Sequence, residues 1–321
     1  MENYDWSIYN RDWLGYPPAK QAEILIDELR LNGDPVALAW WPEDAMPPSL
    51  EKHIYRGPLR LVHCQFMMRS RFRGETYILD GTTTRSPPPV CAGDAYVGLD
   101  EVFPDVRSGT WSSRTNPKSG QPAQLRIYGS IGAARRNLDH DYSYVQPKIR
   151  YLGIASLGNC PFDPDVVVLF GNPKQMTYAC RALQWHSGLT PKSVTGPGTC
   201  SSSWVAAYTS GEARYTLGCF GVFSVMGMNP NHVSLSIPSE MMPSLCSVLE
   251  SWRENGRSLF YEPQSEEERE HVIAPNDGVY VKDEESKLGY VSWTKRLDEP
   301  YVSWAERRRR NGLKVHLPTD D

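Results

Sequence analysis

A mixed β-sheet with helices packed on it, of the α/β or α+β class, is the fold this sequence predicts, as a single main domain with N- and C-terminal extensions. Three observations predict it. Asp165-Val-Val-Val-Leu-Phe170 is nearly all apolar, as a strand covered on both faces must be. Directly after it, Gly171-Asn-Pro173 turns into a helix, with Asn172 placed as its cap and Pro173 in the first turn, where a missing N–H removes no bond. Amphipathic stripes then recur at helical spacing, in Met176, Ala179, Cys180 and Leu183 and again in Met242, Leu245, Cys246, Leu249 and Trp252.

Taken in order, residues 1–16 carry Trp6, Tyr9, Trp13 and Tyr16 without strong periodicity and read as an aromatic strap. Pro17-Pro18 opens a helix whose apolar face is Ala22, Leu25, Ile26 and Leu29, with Gly33 as its stop. This strap and helix form an N-terminal segment, 1–33. Val36-Ala-Leu-Ala-Trp-Trp41 is a buried strand ended by Pro42. Gly57-Pro58 starts a second helix, Leu59 to Arg73, closed by Gly74; on its 3.6-residue period Leu61, Cys64, Met68 and Arg71 share one side. Glu75–Leu79 is a strand, a polar loop follows, and Cys91 starts a helix. Residues 104–128 are irregular, a short helix spans Ala133–Leu138, and Arg150–Ala155 is a strand. After the helix from Pro173 to Ser187, closed by Gly188, come the Cys200 and Cys219 segments, a strand at His232–Ile237 and a helix capped by Ser239. The main, cysteine-bearing domain is thus 34–256. Residues 257–321, with the charge run Ser265–His271 and basic Arg307–Arg310, form an extension expected to wrap the body or a partner subunit.

Composition narrows the function. With 321 residues, 40% hydrophobic and 22% charged, the chain is long enough for a core that needs no covalent staple. A net charge of −4 argues against nucleic acid as a partner, since no basic footprint is present. No apolar run has the length of a membrane span, and the N-terminus has neither the basic start nor the apolar centre of a secretory signal, so a cytoplasmic location is expected. The expected partner is a small-molecule substrate, with the terminal extensions as candidate contacts for a second copy of the chain. There is no GxSxG, Walker-type GxxxxGK[ST], GxGxxG or HExxH.

The seven cysteines carry the chemistry. In a cytosolic chain they stay reduced, which leaves metal ligands, reactive thiols or core residues. Gly196-Pro-Gly-Thr-Cys200 and Leu217-Gly-Cys219-Phe-Gly221 set thiols beside glycines, where the backbone turns tightly. Cys64 lies on a helix, and Cys91 stands at a helix start, where the dipole favours a thiolate. Cys180 and Cys246 sit on apolar stripes and read as core; Cys160 is a loop bystander. His186, at the end of a helix, is either a C-terminal cap or a proton donor facing the Cys200 loop. Asn172 and Gln175 cap their helix and are secondary candidates for holding a ligand at the strand end. His63 lies about 100° round its helix from Cys64, as a neighbour rather than a co-ligand.

Several runs, in consistent order over roughly residues 34–255, carry a family resemblance: Pro35-Val-Ala-Leu-Ala39, Gly57-Pro-Leu-Arg-Leu-Val-His-Cys64, Val90-Cys-Ala-Gly93, Phe162-Asp-Pro-Asp-Val-Val-Val-Leu-Phe-Gly-Asn-Pro173, Trp185-His-Ser-Gly188, Thr199-Cys200, Gly218-Cys-Phe-Gly221 and Ser236-Ile-Pro238. Together they resemble the uncharacterised family called domain of unknown function 169. The resemblance implies recurring cysteines at the positions matched by Cys64, Cys91, Cys200 and Cys219, and none at Cys160, Cys180 or Cys246. It also shows a departure: Phe223 stands where the family often has an arginine, which implies a more apolar substrate at this point.

The sharp expectation is that Cys64, Cys91, Cys200 and Cys219 ligate a 4Fe-4S cluster, since thiolates select iron–sulfur or zinc over hard cations. Zinc or no metal are the alternatives; the absence of any CxxC pair weighs against a zinc ribbon. The function expected is an iron–sulfur enzyme acting on a small organic molecule by reductive or Lewis-acid chemistry of the elimination or hydration type, an oxidoreductase or lyase with His186 as proton donor. The rival is a non-catalytic small-molecule or redox-sensing protein or accessory subunit, and a third reading is catalysis by a bare Cys91 or Cys200 thiolate.

Overall fold

In a computed structural model, residues 16–42, 44–58, 61–80, 150–193, 195, 200–219, 222–223 and 226–254 are described, together with the strands at 279–282 and 289–292. The aromatic strap up to residue 15, Cys91 and its helix, the excursion at 104–128, the helix at 133–138 and the C-terminal charge run lie outside the described residues.

Seven strands form one sheet: β1 (Val36–Trp41), β2 (Tyr77–Leu79), β3 (Tyr151–Ser156), β4 (Val166–Gly171), β5 (Lys192–Ser193), β6 (Arg214–Thr216) and β7 (Val233–Pro238), in the order β2-β3-β1-β4-β7-β6-β5. All neighbours are antiparallel except β5 and β6, so the protein is α+β. The registers place Leu38 opposite Ile154 and Val166, and Val168 opposite Ser236. β4 is apolar throughout although antiparallel to both neighbours, because helices cover both sheet faces and every residue of it is buried. The turn after it is therefore not the switch point of a parallel sheet.

Strand alternation divides the core. Val36, Leu38, Trp40, Leu152, Ile154, Val166, Val168 and Phe170 form one cluster with Cys64, Phe66, Met67, Cys200, Trp204 and Cys219. Ala37, Ala39, Val167 and Leu169, on the alternate positions, are also buried. Their side of the sheet carries α1 (Pro18–Leu29), α3 (Pro173–Ser187) and α5 (Met242–Glu254), which pack on one another, while α2 (His63–Arg73) packs on β1 and β3. A π-helix at Cys200–Val205 runs into the short α4 (Ala206–Ser210).

The ends of these helices follow from their sequence only in part: α2 starts at His63, not at Leu59, with Leu61 and Val62 outside the helix, and a 3-10 turn at Ser239–Met241 precedes α5. α2 stops where Gly74 takes the left-handed conformation, at φ 67°. α1 stops earlier than Gly33: Arg30 is left-handed at φ 49°, and Gln175 Nε2 donates to the otherwise open carbonyls of Leu29 and Arg30. Tertiary contact, not a glycine, closes that helix. Residues 260–321 form a separate compact unit that includes an antiparallel hairpin, β8 (Val279–Lys282) with β9 (Gly289–Ser292).

Candidate metal centre

Three of the four predicted ligands come together. Cys64 is the second residue of α2, whose start is fixed by Gln65 Oε1 accepting the Val62 N–H at 3.0 Å. Cys200 opens the π-helix, a one-turn irregularity that re-aims side chains and is frequent at functional sites. Cys219 follows Gly218, whose φ of 100° suits glycine and whose absent β-carbon would meet Phe223 at 3.1 Å. All three thiols are buried, at 5%, 3% and 8% exposure, in one apolar cluster.

Their proximity shows electrostatically. Burial pushes the Cys64 thiol well above its ordinary range, and Cys200 and Cys219 push it further, while the neighbouring backbone N–H groups act the other way. In the absence of a cation the thiol is therefore protonated at neutral pH. A positive centre among the three sulfurs inverts that balance, as a coordinating thiol is deprotonated. Next to Cys64, burial lowers the His63 imidazole to about 4, which keeps it neutral.

As the side chains stand, no three His, Cys, Asp or Glu among the described residues lie at metal-binding distance. The sulfurs share a core cluster without being drawn into a coordination shell, and Cys91 is outside the described residues. Two further atoms bear on whether the pocket suits a sulfur cluster. Trp40 Nε1 and Trp204 Nε1 belong to this same apolar cluster, are buried, and find no hydrogen-bond partner among the described residues. Buried donors are rarely left unpaired, and sulfide or thiolate acceptors would satisfy them. Thiol donors and orphan N–H groups together fit an iron–sulfur group.

The remaining predicted residues lie elsewhere. Asn172 and Gln175 form a reciprocal capping box: Asn172 Oδ1 accepts from Gln175 N at 2.9 Å and Gln175 Oε1 accepts from Asn172 N at 2.7 Å. With Nε2 on α1, every polar atom of the Gln175 side chain is engaged within the fold. His186 is exposed near the end of α3, in the helical layer across the sheet from the thiols. Cys246 is fully buried on α5. Cys180 is half-buried, its thiol raised to about 11 by burial. Cys160 donates to the Phe162 carbonyl at 3.0 Å.

Sequence reasoning placed Arg71 on the Cys64 face of α2 but missed that it is buried. Arg71 continues the Cys64–Met68 face of α2 and is buried at 3% exposure. The signal was the shared helical face; its burial was invisible because the covering loop at 227–232 comes from far along the chain. No described helix is long and apolar enough to cross a membrane.

Residues 24–248, more than half of the chain, match the model of the family described as uncharacterised ArCR, domain of unknown function 169. An uncharacterised protein of Methanocaldococcus jannaschii is similar: it is 27% identical over 184 residues, which cover 57% of this chain and 67% of the relative. No solved structure matches.

Proposed function

The chain belongs to the domain of unknown function 169 family, whose description names no reaction, so the site carries the reading: we propose that Cys64, Cys200 and Cys219, with Cys91 as fourth ligand, hold a 4Fe-4S cluster in an enzyme acting on a small organic molecule. The observation that carries it is convergence. Thiols from three distant stretches lie in one buried core cluster, and Cys200 and Cys219 raise the Cys64 thiol. Three ordinary core cysteines have no need to meet, and a soft donor set of this kind selects iron–sulfur or zinc.

A bound cluster would supply electron transfer with four protein ligands, or an open Lewis-acid iron with three. The chain's own part is to hold it: Trp40 and Trp204 offer indole N–H groups, and the surrounding aromatic and methionine side chains exclude water. The reaction class is reductive or of the elimination or hydration type, and the setting is cytoplasmic. One observation favours a second reading, a redox-sensing or small-molecule-binding protein without turnover. His186, the expected proton donor, stands in the other helical layer.

The test is the visible spectrum, with iron and sulfide content, of protein purified without oxygen. A broad charge-transfer absorption lost in Cys64→Ala, Cys91→Ala, Cys200→Ala and Cys219→Ala but kept in Cys180→Ala supports the cluster. Colourless, iron-free protein with all thiols titratable overturns it.

A further inference from the structure

A cleft of about 330 Å³ opens at the edge of the apolar core, lined by Asn32, Met68, Arg71, Phe72, Met228 and His232 among others. Met68 and Met228 belong to both the cleft wall and the apolar core cluster that also contains Cys64, Cys200 and Cys219.

Arg71 sets its chemistry. The guanidinium lies between two rings, 4.9 Å from the centroid of Phe72 and 5.1 Å from that of Phe170. Nη2 donates to the Asn32 carbonyl and, at 3.1 Å, to the Phe170 carbonyl. Nε is buried without a partner among the described residues, and no ion pair to Arg71 is found there. Burial lowers its pKa to about 10 while Asp34 acts through space to raise it, so it is charged at neutral pH. The Asp34 carboxylate is itself bonded by the Ser156 hydroxyl. A buried cation with donors to spare and only a through-space carboxylate has no contact counter-ion among the described residues.

We propose that this cleft binds a small organic carboxylate, its carboxylate on Arg71 and its apolar body against Met68, Met228 and Phe72. A carboxylate fits better than a phosphate because the cleft supplies one fixed positive charge. His232 adds none, since burial and then the Arg71 charge lower its pKa. The guanidinium fork matches a planar carboxylate, and the wall of methionine and phenylalanine matches a hydrocarbon body. The site requires no metal, so it stands or falls apart from the cluster.

Saturation-transfer NMR on the full-length protein, with sodium butyrate, the isosteric neutral butyramide and inorganic phosphate as probes, tests this. Butyrate is expected to bind at least about tenfold more tightly than butyramide and more tightly than phosphate, equally with and without a chelator. Arg71→Gln removes the preference for butyrate over butyramide. Should that variant fail to fold, Phe72→Ala decides: Phe72 is 60% exposed, so its removal spares the core while weakening butyrate several-fold. Equal binding of butyrate and butyramide, tighter binding of phosphate, or unchanged affinity in Phe72→Ala overturns the proposal.

Discussion

Gly33 lies directly over Arg71: a β-carbon at Gly33 would fall 2.9 Å from Arg71 Nε and 2.8 Å from Phe72 Cε1, and its φ is 104°. The position thus demands glycine twice, for its backbone and for its space. Gly33→Ala is expected to destabilise by roughly 1–3 kcal/mol and to weaken butyrate binding by displacing Arg71. Gly188 is the control, because it has φ 66° but nothing within 4 Å of a β-carbon. Gly188→Ala should cost only the left-handed backbone term, about 1–2 kcal/mol, and leave binding alone. Urea unfolding with parallel butyrate titration checks both. Equal effects of the two variants on binding would remove Gly33 from the pocket's support.

Gln175 joins two helices, capping the start of α3 through Asn172 and the end of α1 through Leu29 and Arg30. Gln175→Ala leaves those carbonyls and the Asn172 N–H to whatever water can reach them, a loss of about 1–3 kcal/mol. Gln175→Glu should cost more, since it sets a carboxylate against two carbonyl oxygens at 3.0 and 2.7 Å. Unfolding midpoints order wild type above Ala above Glu. A neutral effect of Gln175→Ala would release this residue from its structural duty and return it to the candidates for ligand binding.

The parts of the fold readable from sequence are those whose pattern is set locally. β1, β3 and β4 are mostly apolar runs because helices bury both faces, β7 alternates apolar residues with buried serines, and Gly74 and Gly188 end their helices by conformation alone. β5 and β6 escaped notice for the opposite reason: Lys192-Ser193 is exposed and Arg214–Thr216 is too short to show alternation. The antiparallel pairing, and the closure of α1 at Arg30 by a glutamine far away in sequence, are tertiary facts. The site divides similarly. Helical periodicity put Cys64, Met68 and Arg71 on one face, but only the sheet order brings Cys200 and Cys219 to that face, and only the loop at 227–232 makes Arg71 the wall of a cleft.

Asp165 Oδ2 accepts the Trp40 N–H at 2.8 Å, while burial holds its carboxyl above the ordinary carboxylate range despite that bond. A raised folded pKa means that the unfolded chain gives up this proton more readily. The stabilising contribution is therefore present below the unfolded pKa and is lost as pH rises through the folded one. Above that folded pKa Asp165 is a charge held against the cost of burial. Asp165→Asn keeps an acceptor for Trp40 without the charge, so it should be neutral or stabilising at pH 7, with the difference from wild type shrinking in acid. Asp165→Val orphans the Trp40 N–H and should cost about 1–3 kcal/mol. Thermal melts at pH 4 and pH 7 read both; an Asn variant less stable at pH 7 would show that the carboxylate's bond outweighs its desolvation.

Ser203, in the π-helix that begins at Cys200, and Ser236, in the centre of β7, share a hydrogen bond of 2.7 Å between fully buried hydroxyls. That bond ties the π-helix to the sheet. Ser203→Ala leaves the Ser236 hydroxyl buried and unpaired, and should cost roughly 1–3 kcal/mol. The double change Ser203→Ala with Ser236→Ala should cost less than the sum, since two apolar groups in contact leave nothing unsatisfied. If the bond also sets the direction of Cys200, Ser203→Ala lowers iron content per chain whereas the equally buried but distant Ser244→Ala does not. A cycle that sums, or iron content unmoved by Ser203→Ala, would leave the π-helix held by its packing through Trp204 and Val205 in the thiol cluster.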